Sequence, residues 1–247
     1  MAAPRALSAQ PALPKPAANT APMLTALDAA ADRYAGVAKQ IWGFAEVGYM
    51  EEKSSALLQT ELRNAGFKVT ADIAGEPTAF VAEYGSGKPV IAILGEFDAL
   101  PGLSQDAVPE RKPIRAGAPG HGCGHHLFGT ASTAAAISVK EWMIANKVQG
   151  TIRMIGTPAE EGGSGKVYMV RDGVFNDVDA VIAWHPGDEN AAMGERTMAN
   201  ITGKFRFHGI SSHAAGAPER GRSALDGVEI MNVMTNYLRE HVPDGTR

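Results

Sequence analysis

A run of five consecutive apolar residues, Val90 to Leu94, constrains the fold of this chain more than any other feature. An unbroken apolar run between a proline and a glycine is typical of a strand that is buried on both faces of a parallel sheet. Two further strands are predicted at residues 151–156 and 180–184, and an Ala-rich helical segment precedes the first of them. This alternation predicts an α/β fold, a three-layer sandwich with a mostly parallel sheet.

Helices and strands are also predicted ahead of the central run. Segments 25–46 and 54–66 place apolar side chains three and four residues apart, which predicts helices, and Gly66 suits a left-handed C-terminal cap. Residues 67–72 and 78–84 have the composition of strands. The first domain therefore opens with helices that pack on a sheet.

The pattern divides the chain into three parts. Residues 1–22 are Ala/Pro-rich and lack periodicity, so they are predicted to be a disordered tail, and residues 23–193 form the predicted α/β domain. Residues 194–247 contain one alternating, strand-like segment and one amphipathic helix, which indicates the start of a second, α+β domain. One strand and one helix cannot bury a core, so the sequence predicts the front part of a longer protein.

Composition excludes several classes of protein. With 247 residues, 45% of them hydrophobic and 20% charged, the chain is long and apolar enough to fold. It has no apolar run long enough to span a membrane, and a net charge of −4 without a basic cluster argues against a nucleic-acid partner. A cytoplasmic location is expected, with a periplasmic or secreted location as the alternative because of the N-terminal tail.

Chemically active groups collect directly after the predicted strands. The carboxyl ends of parallel strands meet at one edge of a sheet, where ligands bind in open α/β folds. Thiolate, imidazole and carboxylate groups at one such edge are what a two-metal hydrolytic site requires. The candidates are Asp98, Cys123, His125, Glu160, Glu161 and His185.

Each candidate also has a structural interpretation. Adjacent glutamates are commonly a solvated surface, and a buried cysteine is commonly a small hydrophobic residue. The glycines on both sides of Cys123, and the histidines two residues away on either side, favour a ligand. His185 could simply end a strand, and His213 in a small-residue loop could be an ordinary surface histidine. The shared location of the first-domain residues favours function.

Six motifs carry a family resemblance from about residue 24 to residue 247. The motifs are IWGFAEVGYMEEKSS, GEFDALPGLSQ, GHGCGHHLFGT, GTPAEEGGSGK, WHPGDEN and SSHAAGAPERGRSALDGVEIMN. In this combination the sequence resembles the dinuclear-metal amidohydrolases of the aminoacylase and glutamate-carboxypeptidase superfamily, in particular the subfamily of aminobenzoyl-glutamate utilisation protein B and the auxin-conjugate hydrolases. The resemblance implies hydrolysis of the amide bond of an N-acyl or aminobenzoyl amino acid, with two divalent ions, Mn or Zn.

The resemblance also implies that residues 23–193 are a metal-binding catalytic domain with a defined set of metal ligands, and that residues 194–247 begin a lid or dimerisation domain. Cys123 and His125 match ligands of the subfamily's HACGHD-type motif, in which the thiolate replaces a bridging aspartate found elsewhere in the superfamily. Glu161 and His185 match ligands of the two metals. Glu96 stands where other branches have a histidine ligand.

Further roles follow from the same resemblance. Glu160 matches the general base, and Asp98 matches an aspartate that supports the metal ligands. His213 matches a lid-domain histidine that reaches the substrate in the partner subunit, so a homodimer or heteromer through the lid domain is expected. His126 departs from the usual acidic residue or asparagine at its position.

Residue chemistry supports the same mechanism. A water shared by two divalent ions has its pKa lowered toward neutrality, so a carboxylate such as Glu160 can take its proton. The family's further histidine ligand, from a C-terminal segment, has no counterpart in this sequence. The alternative hypothesis is therefore a truncated, catalytically incomplete subunit or scaffold that needs a C-terminal segment or a partner chain. A nucleotide-binding enzyme is disfavoured because no glycine cluster has phosphate-loop spacing.

Overall fold

The computed structural model describes residues 18–188, 191–192 and 201–243. The chain forms two compact units, Met1–Asn190 and Ala191–Arg247. The sequence analysis places this boundary after residue 193. Each unit is described by itself below.

The first unit contains six α-helices and five strands among its described residues. The helices are α1 (Ala21–Ala29), α2 (Ala31–Phe44), α3 (Glu52–Asn64), α4 (His125–Asn146), α5 (Glu160–Gly163) and α6 (Gly165–Arg171). The strands are β1 (Lys68–Ala71), β2 (Phe80–Ser86), β3 (Val90–Gly95), β4 (Gly150–Gly156) and β5 (Ala180–Ile182). In the described part of the chain, no helix combines the length and the apolar composition that crossing a bilayer requires.

The five strands form one sheet in the order β1-β2-β4-β3-β5. Strand β3 pairs in parallel with β4 and β5, whereas β2 is antiparallel to both β4 and β1. Four of these strands therefore point the same way, and β2 runs opposite to them. The predicted α/β fold is confirmed. Gly95 lies opposite Gly156 in the β3/β4 register, so the residues that follow these strands emerge together at one edge.

The central strand is apolar throughout because both of its faces are buried. Ile93 belongs to a core cluster in which Ile41 and Leu58, from the helices α2 and α3, pack on one face of the sheet. Its neighbour Leu94 belongs to a second cluster with Met169 of α6 on the other face. Successive residues of a strand point to opposite faces, so this partition produces three layers. The predicted layer arrangement is confirmed.

Local signals explain where the first helices begin and end. Helix α1 begins at Ala21, inside the segment 1–22 that the sequence analysis assigns to the tail, because Pro22 in the first turn favours helix initiation. Gly66, just beyond α3, has a φ of +85°, which is the left-handed conformation predicted for it. Residues 1–17 of the predicted tail lie outside the described residues.

Helix α4 lies very close to the central strand. A Cβ atom on Gly129 would lie 2.7 Å from the carbonyl oxygen of Glu96, directly after β3. The Ser132 hydroxyl donates a hydrogen bond to the Leu94 carbonyl at 2.6 Å. Small residues along α4 therefore allow a close approach to β3 at the edge where the candidate residues collect.

The second unit contains helix α7 (Ala224–Tyr237), whose N-cap Ser223 accepts a hydrogen bond from Asp226 N. A strand is expected over 197–209, but residues 201–209 form no strand, and 197–200 lie outside the described residues. A strand needs a hydrogen-bonded neighbour. Next to this segment the structure shows only an isolated bridge between Ile210 and Arg222 within the part it describes.

Candidate metal centre

Residues that follow β3, β4 and β5, together with residues at the start of α4, form two groups of potential metal ligands. Cys123, His125 and His185 form one group. Glu96, His125 and Glu160 form the other, and the ligand atoms within each group lie within 4.8 Å of one another. The imidazole of His125 is common to both. The structure therefore has a cluster that suits two ions sharing this edge of the sheet.

His125 is fully buried and is oriented by a carboxylate. It is the first residue of α4, after Gly124 with a φ of +87°. Its Nδ1 atom lies 2.8 Å from Asp98 Oδ1. Its Nε2 atom lies 2.9 Å from Glu96 Oε2 but has no hydrogen-bond partner among the described residues. A proton on Nδ1 that is donated to Asp98 leaves the Nε2 lone pair available to a metal ion.

Cys123 and His185 form the open side of the cluster. Cys123 Sγ lies 3.3 Å from His185 Nε2. The other ring nitrogen of His185 lies 2.9 Å from the Pro186 carbonyl oxygen, which can only accept a hydrogen bond. His185 Nδ1 therefore carries the proton, and the Nε2 lone pair faces the sulfur. This orientation suits two ligands of one ion.

Asp98 connects the ligand-bearing segments. Its Oδ1 atom contacts His125, and its Oδ2 atom accepts a hydrogen bond from Glu161 N at 2.8 Å. The side chain is fully buried at the end of β3. One carboxylate thus fixes the start of α4 relative to the loop after β4.

The loop after β4 presents the two glutamates differently. Glu160 Oε2 lies 3.9 Å from His125 Nε2, and 45% of the Glu160 side chain is exposed. Glu161 Oε1 is buried without a hydrogen-bond partner among the described residues, 4.0 Å from His125 Nδ1. Glu161 falls in neither three-residue group, whereas Glu160 falls in the second. Of the two glutamates, Glu160 is therefore the one that molecules from the solvent can reach.

A buried carboxylate outside the cluster holds this loop. Glu51 is fully buried; its Oε1 atom accepts a hydrogen bond from Ala159 N at 2.8 Å, and its Oε2 atom accepts one from Thr78 Oγ1 at 2.8 Å. Ala159 has a φ of +55° and directly precedes Glu160. Sequence reasoning missed Glu51, for which the only signal is an acidic residue just before α3.

The charges of the cluster fit a bound cation. Burial opposes the imidazolium of His125, but the carboxylates of Asp98 and Glu96 raise its pKa to about 10. Burial and the nearby Glu161 carboxylate raise the pKa of the Cys123 thiol to about 11. A divalent ion reverses both effects, because it takes the place of protons at imidazole and thiol ligands. The buried Nε2 atom of His125 and Oε1 atom of Glu161, both without partners in the described structure, are consistent with that requirement.

Neither group of potential ligands includes His213, His121 or His126. His213 belongs to the second unit, where its Nδ1 atom accepts hydrogen bonds from Gly216 N at 2.9 Å and Ala215 N at 3.2 Å. Burial lowers the pKa of both His121 and His126 to about 4, so both are neutral. No role for Lys166 was predicted from the sequence. Its position after a Gly-rich turn is visible there, but its ion pair with Glu96 appears only in the structure.

The fold and the cluster define an α/β protein with potential metal ligands grouped at the carboxyl edge of its sheet. The model of peptidase family M20/M25/M40 matches residues 92–233, which is more than half of the chain. The chain belongs to this family.

Individual relatives agree with this assignment. The chain is 49% identical over 223 residues to one of the subunits of p-aminobenzoyl-glutamate hydrolase from Escherichia coli (strain K12), covering 90% of this chain and 46% of the relative. It is 31% identical over 230 residues to Xaa-Arg dipeptidase of Mus musculus, covering 87% and 49%. The chain thus spans about half the length of these relatives.

A solved structure is also similar. The Bacillus subtilis YXEP protein, described as a dinuclear metal binding peptidase from the M20 family, has a TM-score of 0.56 and 25% identity. The match covers 65% of this chain and 44% of that protein.

Proposed function

We propose that this protein is a metal-dependent amidohydrolase that cleaves the amide bond of an N-acyl or aminobenzoyl amino acid. The observation that carries the proposal is the buried imidazole of His125, which belongs to two groups of potential ligands. Cys123 and His185 complete one group, and Glu96 and Glu160 complete the other. The name of the Escherichia coli relative supports an aminobenzoyl-glutamate-like substrate.

The proposed ligands are Cys123, His125, Glu161 and His185, and their mixed thiolate, imidazole and carboxylate donors suit Zn or Mn. When bound, the two ions lower the pKa of a water molecule and polarise the scissile carbonyl. Asp98 fixes the ring orientation of His125, so this ligand needs no reorganisation.

Glu160 is the proposed general base. It takes a proton from the attacking water and later passes this proton to the nitrogen of the leaving amine. Burial and the Glu96 carboxylate raise the pKa of Glu160, which favours a group that must hold a proton during the reaction. Its 45% exposed side chain is accessible to water and substrate.

His213 is proposed to donate a hydrogen bond to the carbonyl oxygen of the substrate. Because its Nδ1 atom accepts two backbone hydrogen bonds, the proton of the neutral ring resides on Nε2. That nitrogen is then a donor, as stabilisation of a developing oxyanion requires. The family resemblance assigns this contact to the site of a partner subunit, so the proposal includes a homodimer or heteromer through the second unit.

The test is the variant Glu160→Gln, compared with Glu161→Gln and the surface control Glu110→Gln. Hydrolysis of p-aminobenzoyl-glutamate and metal content by elemental mass spectrometry are measured for each. We expect Glu160→Gln to lose turnover by about 100-fold or more while keeping its metal, and Glu161→Gln to lose metal. Loss of metal in Glu160→Gln would move Glu160 into the ligand set, and normal turnover would end the general-base role.

A second function is favoured by one finding, the name of the Escherichia coli relative, which describes it as a hydrolase subunit. In this alternative the chain binds metal but is catalytically incomplete without a C-terminal segment or a partner chain. Assays with and without added Mn or Zn separate the two functions. A metal-loaded chain without turnover supports the incomplete subunit, and turnover by the purified chain eliminates it.

A further inference from the structure

An ion pair of Lys166 and Glu96 lies against the shared imidazole of the metal centre. The Lys166 Nζ atom contacts Glu96 Oε1. The other oxygen of the same carboxylate, Oε2, lies 2.9 Å from His125 Nε2. The Glu96 carboxylate therefore lies between the Lys166 ammonium group and His125 Nε2, the nitrogen that is available to a metal ion.

The approach of Glu96 to His125 suggests two ligands converging on one ion. His125 Nε2 is fully buried and has no hydrogen-bond partner within the described ranges, despite its distance of 2.9 Å from Glu96 Oε2. Two ligand atoms that are each about 2.1 Å from an ion lie about 3 Å apart or slightly more. Glu96 is 6% exposed, so its charge is screened little by solvent.

With two divalent ions bound and the Cys123 thiol deprotonated, the charges of the centre would balance only when Lys166 is included. Four carboxylates and one thiolate carry five negative charges, and two divalent ions supply four positive charges. Lys166 supplies the fifth, and its side chain is only 31% exposed. Its charge also acts on Glu160, where it opposes the raised pKa of that carboxylate. The anionic groups are Glu96, Asp98, Cys123, Glu160 and Glu161.

We propose that Lys166 is a built-in cation of this centre, which neutralises Glu96 and thereby keeps the affinity for the divalent ion beside the Glu96 carboxylate and the His125 imidazole weak. This inference rests on the proposed metal-dependent function. Removing Lys166 has two opposing effects: Glu96 loses an orienting partner, and the ion loses a like charge nearby. We expect the second effect on metal affinity to be larger. The repulsion between the Lys166 ammonium group and a divalent ion in this mostly buried site costs more binding free energy than the added freedom of the Glu96 side chain.

The test is a titration of the metal-free protein with Mn²⁺ and, separately, with Zn²⁺ by calorimetry, after chelation and with the folded state checked by thermal unfolding. Lys166→Met and Lys166→Gln remove the charge, and the glutamine keeps a donor for Glu96. Lys166→Arg keeps the charge. Lys39→Met, on the exposed surface of α2, is the matched control.

We expect the weaker of two binding events to tighten about tenfold or more in both neutral variants and to stay within about threefold of the original protein in Lys166→Arg and Lys39→Met. Glu96→Gln, the opposite charge change, weakens the same event. Unchanged or weaker binding in the neutral variants, while the original protein binds two ions, overturns the role of Lys166 and leaves the proposed function standing. If the original protein binds neither ion, the proposed metal-dependent function fails, and this inference fails with it.

Discussion

His125 Nδ1 lies 2.8 Å from Asp98 Oδ1, and both side chains are fully buried. The second oxygen of Asp98 accepts the backbone N–H of Glu161 at 2.8 Å. Buried polar groups that satisfy each other in this way hold their geometry without help from solvent. Asp98 thereby sets both the rotation of the His125 imidazole and the position of the segment that carries the two glutamates.

Replacement of Asp98 by asparagine is expected to weaken divalent metal binding by about 10- to 100-fold. The amide keeps one acceptor for His125 but presents a donor to Glu161 N, so one of the two hydrogen bonds is lost. Calorimetric titration with Zn²⁺ measures the effect, and Asp28→Asn on the exposed part of α1 is the control. Equal affinities for both variants would show that Asp98 does not orient the ligands.

Replacement of Cys123 by serine tests the thiolate ligand. The hydroxyl is nearly isosteric but stays protonated near neutral pH, so it is a much weaker ligand for zinc. We expect metal content per chain, measured by elemental mass spectrometry after purification without chelator, to fall by at least one ion. Metal content equal to that of the unsubstituted protein would remove Cys123 from the ligand set.

Glu76 is expected to make stability depend on pH. It is 3% exposed, neither carboxylate oxygen has a hydrogen-bond partner in the described structure, and burial followed by the nearby Glu51 raises its pKa to about 7. The folded state therefore holds this proton more tightly than the unfolded chain, whose pKa is near 4.5. The resulting stability is fully present below pH 4.5 and is lost as the pH rises through 7.

The variant Glu76→Gln is neutral at every pH and isolates this effect. We expect it to be more stable than the original protein by about 2 kcal/mol at pH 8 and nearly equal at pH 5. Thermal or urea unfolding at both values measures the difference, with Glu110→Gln as an exposed control. A stability difference that is the same at pH 5 and pH 8 would contradict the raised pKa.

Two glycine-to-alanine substitutions are expected to change the free energy of unfolding in opposite directions. A Cβ at Gly129 would lie 2.7 Å from the backbone oxygen of Glu96. Gly129→Ala therefore forces α4 away from β3 and lowers the free energy of unfolding by about 1–3 kcal/mol. Gly36 in α2 has open space around its Cα, so Gly36→Ala stabilises by about 0.5–1 kcal/mol through helix propensity. Urea unfolding of both variants distinguishes a local clash from a general response to alanine, which would give both the same sign.

Much of the first unit could be predicted from the order of apolar and small residues. The unbroken run in β3 indicates burial on both faces, and the structure assigns Ile93 and Leu94 to different core clusters. The strand predicted over 197–209 was wrong for residues 201–209, because alternation describes only one strand, whereas strand formation depends on a neighbour that is not encoded locally. The roles predicted for Cys123, Glu160 and His213 remain predictions.

The sequence by itself determined the α/β class, the central strand, and which segments follow strands and carry metal-binding groups, because these depend on local periodicity and on residue type. Only the tertiary structure decided how those groups meet. Lys166 and Glu96 are 70 residues apart in the chain, yet they pair beside His125. Glu51 reaches Ala159 across 108 residues. Such contacts depend on sheet order and on the distance between α4 and β3, and no local pattern specifies either one.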